Sequence, residues 1–421
     1  MTTSSIDKEA TRFRLPSAWF PAFVILSILF GGCSSSPDYE LPYMPESVVT
    51  AYLADKPEPL RPLYRKALLE GQRNLVLNHM RAGLAAMELG EFELAERSFD
   101  IALLNIESVY ADNPNAARAK SLWYEEGRKD FKGEPYERAM AYYYRGLLYL
   151  RLGDFENARA SFKGGLLQDA FAEQEVYRAD FALLVFLEGW ASRMLGDEDM
   201  AQESFREVKQ HRPDFVPPGP DDNVLLIAET GTAPIKLAVG KGQSALVFRP
   251  GLAWEKSVRF RIGGSVFKGY TMEDIYWQAN TRGGREVDKI LAGKVQFRDT
   301  NERMGRTLTD LSLQTLAMSP QFGDDSGAVA IAAGVMGLVG LGQRALAART
   351  RTRADARSWD NLPDRVQIFT LHSESGDQGF ECSFFAADGS ELPRLHKKGK
   401  IYFVNDRFGF AWVRSRSALV H

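Results

Sequence analysis

Apolar and small residues recur at helical spacing in three segments of the first half of the chain. In each segment a Leu-Gly step, at Gly90, Gly153 or Gly196, is followed by an acidic residue and then by Ala and Phe. Glycine accepts the left-handed backbone of a helix C-cap, and an acidic residue suits the start of the next helix. Seven residues before each turn glycine lies another glycine, which allows two helices to approach closely. The pattern predicts three helix–turn–helix pairs.

These three phrases resemble the tetratricopeptide repeat, whose unit is a helix pair with small and aromatic positions at its inner contacts. The turn glycines are unequally spaced, so the resemblance implies an interrupted array rather than a regular superhelix. We assign the repeat region to residues 46–215 and a Pro-rich linker to residues 216–222.

The second half changes to short runs of alternating or continuous apolar residues separated by Gly and Pro, which is typical of strands. We predict a β-rich domain of sandwich or barrel type over residues 223–421. Val224–Thr230 is predicted as a buried strand with Ile235–Val239 returning along it, and Lys400–Val404 is predicted as one of the last strands. Helices near 300–318 and 325–350 are predicted as insertions. The expected fold class is therefore α+β: helical repeats followed by a smaller β-rich domain.

The N-terminus has basic residues, a short apolar run and small residues before Cys33, which resembles the lipobox of bacterial lipoproteins. This predicts a signal peptide over residues 1–32, a lipid such as palmitate on Cys33 and a flexible tether over 33–45. Ser34 follows the cysteine, which by the same resemblance favours the periplasmic face of the Gram-negative outer membrane. The alternative is an ordinary signal peptide that ends near a cysteine.

The segment between the first two helix pairs is unusually rich in aromatic and charged residues. It is either a partner-binding surface on the repeats or a buried loop that fills a gap between helix pairs. The candidate residues are Trp123, Tyr124, Lys129, Phe131, Lys132, Glu134, Tyr136 and Arg138.

Residues 328–342 form a glycine-rich apolar stretch that is too short to span a bilayer comfortably. It is either a helix packed inside the protein or a contact with the membrane or with another copy. The residues of that second interpretation are Gly334, Gly337, Gly340, Arg349, Arg351 and Arg353, since arginines suit anionic headgroups.

Composition and charge argue against several functions but do not indicate a particular reaction or ligand. A formal net charge of −3 on 421 residues gives no case for nucleic-acid binding. The five histidines show no metal-ligand spacing, and neither a phosphate-binding loop nor a nucleophile elbow occurs. Cys382 is predicted to be a small strand residue. We expect no cofactor and no catalytic residue, although catalytic groups can be far apart in sequence, so an envelope enzyme stays an alternative.

Five further phrases resemble a family of uncharacterised bacterial lipoproteins that pair tetratricopeptide-like helices with a smaller C-terminal domain. They occupy residues 131–138, 144–147, 153–159, 231–236 and 354–363. Members of that family are often encoded beside small lipoproteins resembling activators of penicillin-binding proteins. The resemblance implies work in the cell envelope with protein partners, including other lipoproteins. The function predicted is a lipid-anchored scaffold; the alternative is an oligomeric membrane-associated assembly component that uses residues 328–342. Any small-molecule ligand is unknown.

Overall fold

Helices in antiparallel pairs form the first half of the protein, as the apolar pattern predicts. The computed structural model describes residues 43–107, 130–169, 181–239, 245–281, 354–374, 376 and 378–419, and all of them belong to the compact unit Pro42–His421. The described helices before the sheets are α1 (Glu46–Leu53), α2 (Arg61–Glu70), α3 (Leu75–Glu88), α4 (Phe92–Glu107), α5 (Pro135–Leu152), α6 (Phe155–Asp169), α7 (Ala182–Met194) and α8 (Glu198–His211).

The three predicted helix pairs are α3–α4, α5–α6 and α7–α8, and the structure confirms their turns and their contacts. Gly90, Gly153 and Gly196 have φ angles of 79°, 75° and 85°. These are left-handed values that only glycine adopts without strain. The inner glycines of the first helices face the Phe rings of the second helices, so each pair packs closely where a larger residue would not fit.

The strands and the helix among them follow in the order β1 (Val224–Thr230), β2 (Ile235–Val239), β3 (Ala245–Arg249), β4 (Ser257–Ile262), β5 (Ser265–Lys268), β6 (Tyr270–Asp274), α9 (Ile275–Thr281), β7 (Arg365–Leu371), β8 (Gly379–Phe385), β9 (Lys397–Lys400), β10 (Tyr402–Val404) and β11 (Phe408–Arg414). They form a five-stranded sheet β10-β11-β1-β7-β6, a four-stranded sheet β5-β4-β8-β9 and the hairpin β2-β3. The predicted α+β class is confirmed.

One strand prediction is wrong. Ile235–Val239 does not return along β1 but pairs with β3 in the separate hairpin. Both edges of β1 are already occupied, by β11 in parallel and by β7 in antiparallel orientation. Since a strand has only two edges, β2 has no place beside β1.

Strand β1 is buried along its whole length because both of its faces are covered. Val224, Leu226 and Ala228 pack against the four-stranded sheet, in a core that also contains Phe260 and Phe384 of that sheet. This part of the chain is therefore a two-sheet sandwich, and its five-stranded sheet has helices on the other face.

That other face of the five-stranded sheet shares a hydrophobic core with the helices. Leu225 and Ile227 of β1 join the same cluster as the buried residues of α3, α5 and α7. The first helix of each pair is buried nearly all round, since the second helix covers one side and the sheet side covers the other. Repeat arrays generally bind partners in a groove formed by stacked repeats, whereas here the first helices share their core with the protein's own sheet.

Buried His79 gives the helical part a testable pH dependence. It lies in α3 against the edge of the Tyr64 ring, and burial lowers its pKa from 6.5 to about 4. As the pH falls, the unfolded chain takes up this proton first, so stability is lost between about pH 6.5 and pH 4. We expect His79 to lower the free energy of unfolding by about 2 kcal/mol between pH 7 and pH 4.5.

The measurement is urea unfolding at both pH values for the wild type and for His79→Gln, which does not titrate. Burial raises the pKa of Asp364 to about 6, so that carboxyl acts in the opposite direction and lowers stability as the pH rises from about 4 to 6. Asp364 is present in both proteins, and the difference between them isolates His79. Equal pH dependence in the two proteins would contradict the prediction.

Candidate functional site

A basic, aromatic cleft of about 380 Å³ opens where the helical repeats meet the edge strands of both sheets. One wall is the α3–α4 turn with Phe92, and a second is Arg151 at the end of α5. The remaining wall and the floor come from the strands. The strand residues that matter below are Lys397, Lys398, Lys400, Tyr402, Trp412 and Arg414.

Two cations of the cleft walls are held in place by neighbouring side chains. Arg151 stacks on aromatic rings, and Lys398 forms an ion pair across two strands. The Arg151 guanidinium lies 3.6 Å from the centre of the Phe92 ring and 5.0 Å from that of Tyr402, a cation–π arrangement that fixes the charge at the cleft. In the described part of the chain, Arg151 has no ion pair. Lys398 donates to Glu381 on β8 at 2.6 Å, so its charge is largely compensated.

The floor is anchored from below by the buried carboxylate of Glu229 on β1. Its oxygens accept hydrogen bonds from the hydroxyls of Tyr143 (3.1 Å) and Tyr144 (3.0 Å) and from the indole N–H of Trp412 (3.0 Å). The guanidinium of Arg414 lies 3.4 Å away as an ion pair. Helix α5, β1 and β11 are thereby joined at one point.

Burial determines the electrostatics of this anchor. It raises the pKa of Glu229, and the nearby charge of Arg414 acts against that shift. Burial together with the carboxylate also raises the pKa of Tyr143 and Tyr144 well above 10, so both phenols stay neutral donors. The arrangement supports a rigid floor of the cleft.

Acidic character in the cleft is limited to Glu88 among the lining residues. Its carboxylate accepts from the backbone N–H of Ala418 at 2.6 Å and from the hydroxyl of Ser417 at 3.1 Å. Glu88 keeps its negative charge in these bonds, but the lining contains more cations than carboxylates, with Arg151 and Lys397 among them. The site is suited to an anionic ligand.

The described residues of the predicted partner surface lie at the junction of the helices with β2 and β3. Phe131 and Tyr136 are buried. The others form bonds within the chain: Lys132 donates to the Asn105 carbonyl at 3.0 Å, Glu134 pairs with Lys236 at 2.7 Å, and Arg138 donates to Gln168 at 2.7 Å.

The remaining predicted site residues lie outside the described residues. They are Cys33, Trp123, Tyr124, Lys129, Gly334, Gly337, Gly340, Arg349, Arg351 and Arg353. The predicted helices near 300–318 and 325–350 also lie outside them.

Cys382 is a buried residue of β8, as its sequence context predicts, and burial raises its pKa to about 12. A thiol with so high a pKa is a poor nucleophile. Within the described ranges, no cluster of His, Cys, Asp and Glu is arranged to hold a metal ion. No described helix combines the length and the apolar character needed to cross a membrane.

Sequence reasoning missed the cleft residues. Phe92, Arg151, Lys397 and Trp412 belong to four separate elements, and nothing local connects them. The one usable signal was the run Lys397-Lys398-Gly399-Lys400, since three lysines in four residues of a short strand are unusual and mark a basic edge.

Comparison with known proteins gives one match. A family model described as tetratricopeptide repeat matches residues 136–169, which are α5 and α6 apart from the first residue of α5. The chain thus contains a tetratricopeptide-like repeat within an α+β protein, and such repeats generally mediate protein–protein interactions. No curated protein is significantly similar to the chain, and no solved structure is either.

Proposed function

We propose that this protein is a lipid-anchored scaffold of the bacterial cell envelope that binds protein partners and is not itself a catalyst. The observation that carries the proposal is the tetratricopeptide-like array joined to a sheet through one core, with the basic cleft open at the junction. Because the first helices are buried in the core that they share with the sheet, the proposed binding surface is the cleft. The partners we propose are envelope proteins, including other lipoproteins.

The anchor in this proposal is a lipid on Cys33, which would hold the protein at the periplasmic face of the outer membrane. Its support is the sequence pattern before Cys33 and the small, polar segment after it. We expect Cys33→Ser to move the mature protein from the membrane fraction to the soluble periplasmic fraction and to abolish incorporation of labelled palmitate. Cys382→Ser, with the same chemical change at the other cysteine, is the control and should stay in the membrane.

Persistence of Cys33→Ser in the membrane fraction would contradict the lipid anchor. The glycine-rich stretch 328–342 would then become the better explanation of attachment, as in the alternative of an oligomeric assembly component. Deleting that stretch in the Cys33→Ser background distinguishes attachment by lipid from attachment by residues 328–342. If membrane attachment is lost only when both changes are present, residues 328–342 attach the protein to the membrane.

The scaffold role is tested by crosslinking in cells followed by purification from membranes with the anchor intact. A reproducible protein partner should copurify with the wild type. Recovery of none under these conditions would contradict the scaffold, and a turnover assay would then be needed to examine the enzyme alternative.

A further inference from the structure

Strand β11 has an open edge inside the cleft. Its antiparallel neighbour β10 pairs only with residues Phe408–Phe410, whereas β1 pairs with β11 as far as Arg414. Residues Ala411–Arg414 consequently have no strand beside them on the β10 side within the described part of the chain. Along these four residues, β11 is paired with the described strands on one side only.

The direction of the free backbone groups follows from the strand geometry. The N–H of Ser415 donates to the carbonyl of Glu229 on β1. Since successive residues of a strand direct their N–H and C=O groups to opposite edges, those of Trp412 and Arg414 point away from β1 and into the cleft. Trp412 is partly exposed and offers its N–H and C=O to whatever enters the cleft, whereas Arg414 is only 5% exposed.

The chain creates this opening by changing sheets. Lys397–Lys400 pair with β8 in the four-stranded sheet, whereas Tyr402–Val404 pair with β11 in the other sheet. Between them, the N–H of Ile401 donates to the carbonyl of Gln378. The strand that would have continued beside Trp412 is thus turned away, and its lysines are left along the wall of the cleft.

We infer that an acidic, extended segment of a partner protein adds as a strand to the Ala411–Arg414 edge of β11. Arg151 and Lys397 flank that edge and suit carboxylates on the added segment. The inference rests on the proposed function and names the chemistry of the partner. A peptide fits better than a lipid headgroup or an anionic saccharide, because only a backbone satisfies alternating N–H and C=O groups along a strand edge.

The first test uses the full-length protein in detergent and a capped six-residue peptide of alternating valine and glutamate, with affinity measured by calorimetry. We expect the counterpart with lysine in place of glutamate to bind at least about tenfold more weakly, because like charges would then meet in the cleft. N-methylation of one alternate set of amides should abolish binding, whereas methylation of the other set should change it little, since only one set faces β11.

The second test changes the protein. Lys397→Glu should weaken binding of the valine–glutamate peptide by about tenfold or more, whereas Lys209→Glu, the same change on the exposed surface of α8, should leave it unaltered. Unchanged thermal unfolding of both variants shows that the difference is not a loss of fold. Equal affinities of the two variants would overturn the inference.

Two other outcomes would also overturn it. Equal losses from both N-methylated sets would exclude strand addition, and binding of phosphatidylglycerol vesicles without binding of the peptide would assign the cleft to lipid headgroups. Failure of this inference is distinguishable from failure of the scaffold role. A partner crosslinked equally well by wild type and Lys397→Glu would leave the scaffold intact, whereas recovery of no partner at all would contradict the scaffold itself.

Discussion

Glu229→Ala should lower the free energy of unfolding by about 3–5 kcal/mol, because it removes the carboxylate from a fully buried charge pair. Arg414 would keep its charge with almost no access to water, and the hydroxyls of Tyr143 and Tyr144 would lose their shared acceptor. Buried polar groups without partners carry their full desolvation cost. Chemical denaturation monitored by circular dichroism gives the value directly.

Controls separate the charge pair from the loss of side-chain volume. Glu203→Ala removes an exposed carboxylate from α8 and should change stability by less than about 0.5 kcal/mol. In the double variant Glu229→Ala with Arg414→Met, the stranded charge is absent, and we expect about 1–3 kcal/mol of the loss to be recovered. A Glu229→Ala protein within 1 kcal/mol of the wild type would show that this cluster does not join the helices to the sheet.

The Glu229 cluster also affects the cleft. The indole of Trp412 donates to Glu229, and the backbone of Trp412 forms part of the open edge of β11. If the carboxylate is removed, β11 loses the bond from Trp412 to β1, and β1 loses its bonds from Tyr143 and Tyr144 of α5. The rigidity of the edge is therefore coupled to a residue that no ligand touches, and Glu229 is a positioning residue for the site.

The helical half was predictable because its information is local. A turn glycine, an inner glycine seven residues earlier and a Phe after the turn fall within a single helix pair, so one stretch of sequence contains all the residues that contact each other. Strand β1 was predictable as a buried strand for the same reason: a continuous apolar run indicates cover on both faces. The sequence near β1 did not indicate which elements cover it, and these are helices on one face and a second sheet on the other.

Sheet order and the cleft could not be predicted, because both depend on residues that are far apart in the chain. The neighbours of β1 are β7 and β11, which begin at Arg365 and Phe408, and the intervening sequence contains no sign of that pairing. Residues Lys400–Val404 suggested one strand, whereas the structure divides them between two sheets at Ile401. That change of sheet creates the open edge, and no hydrophobic pattern marks it.

Gly146→Val should destabilise the protein by about 3 kcal/mol, because the space that a side chain would need is filled by an aromatic ring. A Cβ at Gly146 would lie 2.7 Å from Phe162 Cζ and closer still to Cε1. Phe162 is itself fully buried, so the ring cannot turn aside into solvent. Overpacking of this kind typically costs 1–3 kcal/mol, and the better helix propensity of valine returns only a few tenths.

The equivalent glycine of the first pair provides the matched control. A Cβ at Gly83 would lie 3.1 Å from the ring of Phe99, a contact that small shifts can relieve, so Gly83→Val should cost clearly less than Gly146→Val. In the Gly146→Val background, Phe162→Leu removes the overlapping ring and should recover more than about 1 kcal/mol relative to the sum of the single changes. Equal losses at both glycines, or strict additivity with Phe162→Leu, would show that the close approach of α5 and α6 does not depend on the missing side chain.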